Sequence, residues 1–242
     1  MKTSVEVVAR AVGGRTVLSV LRASGQLAVR RTGRTTVHLV ATAFGPLGGD
    51  DTRIRLVVEE GATLSVRTVA AAVALPGRGR GAPSHQRVHA TVAGELDLRP
   101  EPTVAAARAH HVAELVAELT VGAVLTAAEQ VLLGRSNEEP GRWTGTTRIE
   151  RDGTPLLHTT VALGPGAPAW LPPVAPRAYA SAVQLGSGFP DSVQDTDTAT
   201  AEDAVRLPLP GGSVTTAWGD QLHRVVLALE ELAPRPAARV PA

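Results

Sequence analysis

At 242 residues and 43% apolar content the chain can bury one large β core or two small ones without covalent staples. A formal charge of +1, with both signs scattered, leaves no basic stripe of the kind that neutralises a nucleic-acid backbone, so no nucleic-acid partner is expected. Cysteine is absent, which removes disulfides, thiolate nucleophiles and thiolate metal sites together and leaves His, Asp and Glu as the only metal ligands.

In chain order, the opening segment Met1 to Gly14 lacks the apolar run of a signal peptide, and the longest uncharged apolar stretch, Val69 to Leu75, is far shorter than a membrane span. A soluble cytoplasmic protein is expected. FGPLGGDD, Phe44 to Asp51, is a glycine turn that ends in acid where a phosphate loop would carry Gly-Lys-Ser/Thr. Asp50 and Asp51 would repel phosphate, which leaves a cation, a basic partner or a plain backbone turn. From Thr52 the residues Ile54, Leu56 and Val58 alternate with Arg53 and Arg55, and Leu64 and Val66 alternate with Ser65 and Arg67. This period of two predicts a hairpin over 52–75 turned at Glu60-Gly61.

Pro76 to Ser84 reads as a mobile loop by its glycines and arginines, and a second alternating pair surrounds Gly94. Residues 104–133 are rich in Ala and Glu, yet Val121, Val124, Leu125 and the run Val131 to Leu133, set off by Gly122 and Gly134, suit strands better than a helix. Asp152-Gly153 predicts a tight hairpin over 146–164, and Gly211-Gly212 repeats the device. Ser192 to Ala204 is polar and reads as a loop. Leu222, Val225, Val226, Leu229 and Leu232 then recur at helical spacing behind Asp220 as N-cap, with Pro234 and Pro236 as the stop. With aromatics at 2%, Val, Leu and Ala must fill the interior, and no composition shift divides the chain. One mainly β domain over 1–242 with a C-terminal helix is expected, without a fixed-period repeat that would mark a regular solenoid.

No nucleophile elbow, His-Glu-x-x-His, Walker loop or dinucleotide fingerprint is present. His85 and His89 lie four apart and His110 and His111 are adjacent. On strands the first pair would stand roughly 13 Å apart and the second would point to opposite faces, so neither spacing makes a metal site. The carboxylates say more. Asp50-Asp51 and Glu138-Glu139 each sit at a loop beside a strand, where they are solvated turns, a general acid–base pair as in glycoside hydrolysis (Asp50 with Glu138 or Glu139), or ligands for a hard cation. The terminal helix packs on its own core or fills a partner's groove, and periodicity does not separate the two.

Several of these segments in order, FGPLGGDD, GATLSVRTVAAAVALPG, PEPTV at 100–104, VLLGRSNEEPGRW and the IERDGTPLL hairpin, resemble the urease accessory protein UreD family, called UreH in some organisms. The resemblance is clearest over 44–164 and weaker over 218–232. The chain departs from it in the acid doublet after Gly49, where one aspartate is usual, and in an alanine-rich 69–74 where Thr and Gln are common. The resemblance implies stacked β-sheets with a little helix and a non-enzymatic role: binding UreF and the GTPase UreG on apo-urease as a hetero-oligomer, and helping to deliver nickel. It implies no tightly bound cofactor, only nickel in transit. Asp50 and Glu138 are the implied transient ligands. Gly48, Gly49, Glu101 and Glu139 stand with them at the passage or its turns, and Leu222, Val226 and Leu229 are the implied partner-binding positions. Oxygen ligands that leave water in the ion's shell suit transit, since a closed cage would trap the ion.

Overall fold

The computed structural model describes residues 1–77, 81–167, 176–187, 189, 199–201 and 203–233. The chain begins with β1 (Lys2–Val12), β2 (Arg15–Ser24), β3 (Leu27–Arg31) and β4 (Thr36–Ala41). The middle holds β5 (Asp51–Val58), β6 (Thr63–Thr68), β7 (Ala72–Ala74), β8 (Ser84–Val92), β9 (Glu95–Leu98), β10 (Thr103–Ala105), β11 (His110–Leu119), β12 (Val124–Leu133), β13 (Arg142–Arg151) and β14 (Thr154–Leu163). Then follow β15 (Ala178–Leu185), β16 (Ala199–Ala201), β17 (Ala204–Leu209), β18 (Gly212–Gly219) and the helix α1 (Leu222–Leu232). The mainly β class and the C-terminal helix are therefore as the residue pattern predicts.

The strands form two stacked sheets, one ordered β14-β13-β11-β8-β5-β1-β2 and the other β16-β17-β18-β15-β12-β9-β6-β4-β3. Here the structure corrects the hairpin reading. β5 and β6, expected to pair across Glu60-Gly61, lie in different sheets, as do the two strands flanking Gly94. Each alternating pair is an arch that carries the chain from one sheet to the other, and β1, β5, β8, β11 and β13 stack in parallel. Alternation alone cannot tell an arch from a hairpin, because both bury every second side chain; only the hydrogen-bond partner differs. The result is a parallel coil of unequal rungs: Lys2 faces Asp51, Asp51 faces His85, Ser84 faces His111 and His110 faces Arg142. Unequal rungs hide the repeat from any search for a fixed period.

The arches stack as well. Ala93 N donates to Val58 O at 2.8 Å, Glu95 N to Ala62 O at 2.9 Å and Val124 N to Gly94 O at 2.9 Å. Between the sheets, Val7, Leu56, Leu64, Val92, Leu96 and Leu125 are fully buried and form the main core. The strand reading of 104–133 holds, with His111 buried and His110 half-buried on opposite faces of β11. The Asp152-Gly153 hairpin also holds, both residues having positive φ (46° and 74°).

The helix lies on the outer face of the second sheet. Val225 and Leu229, with Leu222 and Leu232, pack on a floor of Ala178, Ala180, Ala182, Ala204 and Ala217. Its cap differs from expectation: Gln221, not Asp220, occupies the N-cap and makes no side-chain hydrogen bond there. Of the segment expected to be a loop before β17, Ala199–Ala201 is a strand and Ser192 to Thr198 lie outside the described residues, as do Arg78 to Arg80, Pro234 and Pro236.

Candidate functional site

A cavity of about 510 Å³ lies between the sheets, bounded at one end by the segments Ala43–Pro46, Val69–Val73 and Pro100–Thr103. Among the described residues its ionisable lining is Glu101, Glu114, Glu129 and Tyr179, with no Arg, Lys or His. Glu129 is there because β12 sends every second side chain inward: Leu125, Ala127, Glu129, Val131 and Leu133 form one row. A carboxyl thus takes the place of an apolar side chain. Glu129 is half-buried at the cavity wall, and burial pushes its pKa up to about 7.

Across the cavity, Trp143 is 1% exposed and its ring lies over Gly145, where a Cβ would fall 2.1 Å from Cη2. Trp143 also meets Tyr179 with ring centroids 5.6 Å apart and planes tilted by 37°. Burial, and next the nearby Glu129 carboxyl, push the Tyr179 phenol up to about 12. It stays neutral. Sequence reading missed Glu129, although the alternation of VLTAAEQVLL contains the signal once the segment is taken as a strand.

The acids singled out from the sequence are placed elsewhere or differently. Gly49 has φ 89° and makes the turn, whereas Gly48 is needed for space: a Cβ there would stand 2.5 Å from Ala82 O and 2.7 Å from Gly77 N. Asp50 is 5% exposed and closes its own turn, with Oδ2 accepting from Leu47 N at 2.9 Å and Oδ1 paired with the Met1 ammonium. Burial alone would raise its pKa; hydrogen bonds from the ammonium, Leu47 and Gln26 outweigh it and hold the carboxyl below its ordinary value. Asp51 is half-buried and bound by Arg53 at 3.1 Å and Arg87 at 2.9 Å.

Glu101 is exposed at the rim of the cavity, its amide donating to Thr68 Oγ1 at 2.9 Å. Glu138 is gripped by Arg135 through Nε at 2.9 Å, Nη2 at 2.8 Å and the backbone amide at 2.9 Å, which hold its carboxyl down at about 2. Glu139 is exposed. No hydrogen bond or ion pair joins Asp50 to Glu138 or Glu139, and none of the three lines the cavity. Among the described residues no three His, Asp or Glu side chains converge as a ready metal centre. On the helix, Leu229 is 5% exposed against the chain's own sheet, while Leu222 and Val226 are half-buried.

His111 is buried beside Ser84, Oγ to Nδ1 at 2.9 Å, and burial pushes its pKa down to about 4. Its unfolded-state pKa of 6.5 is higher, so the unfolded chain gains the proton first as pH falls. Its contribution to stability is complete above 6.5 and is lost between 6.5 and 4, by about 3 kcal/mol. Denaturant melts of wild type and His111→Phe at about pH 7 and pH 4.5 check this. The wild type is expected to lose more stability over that interval than the variant, and equal losses would contradict the assignment.

The family model of the UreD urease accessory protein matches residues 1–225. A urease accessory protein UreD of Frankia alni is 39% identical over 221 residues, spanning 81% of this chain and 73% of the relative. One from Streptomyces coelicolor is 36% identical over 234 residues, spanning 92% of each chain. One from Parafrankia sp. is 35% identical over 249 residues, spanning 91% and 84%. Among the described residues no helix is long and apolar enough to cross a membrane.

Proposed function

This chain belongs to the UreD family of urease accessory proteins, and from that premise we propose that it acts in urease maturation as a scaffold that turns over no substrate of its own. In this reading it joins UreF and the GTPase UreG on apo-urease in the cytoplasm and helps nickel reach the enzyme's active site. The observation that supports the nickel role is the inter-sheet cavity, whose ionisable lining groups among the described residues are three carboxyls and a phenol. Such a lining attracts a divalent cation and repels an anion. It lacks the converging ligands of a storage site, which suits passage.

Asp50 and Glu138 keep a place in the reading as residues that shape the turns of a passage, and Glu101 as the acid at its mouth. Leu222 and Val226 retain surface to offer UreF, next to Leu227, which is 57% exposed. The test is nickel content of urease matured with the other accessory proteins and either wild type or one of the alanine variants at Asp50, Glu101 and Glu138. A several-fold drop is expected for at least Glu101→Ala. Unchanged loading in all three would remove these residues from the passage and leave the family assignment intact.

A further inference from the structure

Residues 7–49 contain no Asp or Glu and carry six arginines, Arg10, Arg15, Arg22, Arg30, Arg31 and Arg34. Six positive charges there against +1 for the whole chain leave the other residues at a net −5. The fold gathers this asymmetry on one flank. The acid-free stretch supplies the second half of β1 and all of β2, β3 and β4, and β2 and β3, joined through Gly25-Gln26, are border strands of the two sheets. Arg10 is held by Glu59 at 2.9 Å and Arg22 lies 3.8 Å from Glu6. Arg30, Arg31 and Arg34 are exposed, and among the described residues no carboxylate meets them. Arg30 donates to the carbonyl of Val29, and Arg31 to those of Gly33 at 3.0 Å and Arg34 at 3.2 Å, which fixes the turn between β3 and β4.

Strand register extends the basic surface. Val29, Leu39, Val66 and Leu98 point into the core, so Arg30, His38, Arg67 and Arg99 share the outer face of the second sheet. Arg30 is level with His38 and His38 with Arg67, and Arg99 follows, its amide donating to Val66 O at 3.1 Å. The strand spacing makes this a row of basic side chains about 14 Å long, and like charges on neighbouring strands repel. The nearby acids stand at its far end: Arg67 and Arg99 share Asp97 at 2.5 and 2.6 Å, Glu95 lies farther back along β9, and Glu101 and Glu230 lie beside Arg99. We propose that this flank, centred on Arg30, Arg31 and Arg34, docks an acidic segment of a partner protein, whose Asp and Glu side chains supply the missing carboxylates. Charge and register carry this without the nickel-delivery reading, so failure of that reading leaves it standing. Guanidinium forks match carboxylates in bidentate fashion, and attraction over this range speeds encounter. A nucleic acid fits less well, because single strands are held on stacking aromatics and Phe44 is the one Phe, Tyr or Trp in residues 7–49.

Fluorescence anisotropy of a labelled decaglutamate peptide, titrated with the full chain at about 50 mM and about 200 mM NaCl, reads the interaction, with a labelled single-stranded DNA of matching charge as comparison. The wild type is expected to bind the peptide, more tightly than the DNA, with a Kd that rises several-fold at the higher salt. Arg30→Glu combined with Arg34→Glu is expected to weaken peptide binding at least about tenfold at the lower salt. Arg108→Glu combined with Arg224→Glu makes the same change in net charge at exposed positions elsewhere and is expected to weaken it less than about twofold. The neutral pair Arg30→Gln with Arg34→Gln, which asks less of the fold, is expected to fall between the two. A wild type that leaves the peptide free at both salt concentrations would overturn the proposal, as would equal losses in the two charge-reversed pairs. Tighter binding of the DNA would make the flank a nucleic-acid surface instead. Sedimentation of the chain alone at the lower salt covers the remaining occupant: a dimer broken by the Arg30 and Arg34 pair would put a second copy in the partner's place and overturn it too.

Discussion

Gly94→Ala is expected to destabilise the fold by about 3 kcal/mol or more, well beyond the effect of Gly122→Ala. Both glycines sit at arches between the sheets, but they are glycine for different reasons. Gly122 has φ 86° and nothing within 4 Å of where a Cβ would go, so alanine there meets only the left-handed backbone penalty of about 1–2 kcal/mol. A Cβ on Gly94 would stand 2.2 Å from Ala62 O and 2.5 Å from Glu59 O. These are backbone atoms of the preceding arch, and no rotamer change moves them aside. Relief requires separating two rungs that are tied by Glu95 N to Ala62 O and Ala93 N to Val58 O. Urea midpoints of the two variants make the comparison, and similar midpoints would show that the arches are not packed as closely as described.

Glu129→Gln is expected to be more stable than the wild type at alkaline pH, by about 3 kcal/mol once pH is well above 7, and nearly equal to it below 4.5. The folded chain holds the Glu129 proton up to about pH 7 whereas the unfolded chain releases it near 4.5. Glu129 therefore contributes fully to stability below 4.5, and that contribution is lost as pH rises through 7. Glutamine keeps the shape and cannot ionise. Thermal melts of both proteins at about pH 4.5 and pH 8.5 decide it; a variant no more stable than wild type at the higher pH would mean that the carboxyl reaches water or a counter-ion. A residue that costs stability at neutral pH, where an apolar side chain would serve the core better, is the kind of site where selection for activity outweighs selection for stability.

What the sequence makes legible follows the range of the interaction. Asp152-Gly153 declares its hairpin because two successive residues with positive φ are a local requirement, and the terminal helix declares itself through apolar spacing within three turns. Alternation in 52–68 correctly marks strands, and the side chains of Ile54, Leu56, Leu64 and Val66 are indeed buried. Its partner is not legible, because β5 pairs with β1 and β8, both distant in the chain, and not with the adjacent β6. The candidate site divides in the same way. Asp50 and Glu138 stand out in glycine-flanked turns, but the Met1 ammonium that meets Asp50 is remote in sequence, while Arg135 lies only three residues before Glu138. Glu129 was within reach, since the inward row of β12 can be counted once a strand is assumed. The Ala and Glu content of that segment mimics a helix and conceals the alternation.

Parallel stacking of rungs has no natural end, because an outermost strand always presents free amides and carbonyls to a further strand, including one from another molecule. In the first sheet the parallel run gives way at each side to antiparallel strands, β2 and β14, and in the second the main path ends on the antiparallel strands β3 and β16, with a short parallel branch of β10 and β7 beside β12. In the first sheet both border hairpins also slip register, between Val8 and Ala9 and between Ile149 and Glu150, and β14 carries Pro155 close to the slip. Irregular, proline-bearing margins are poor templates for edge-to-edge joining. The coil is thereby made finite, and a chain built largely of parallel strands is kept from growing into a fibre with its neighbours.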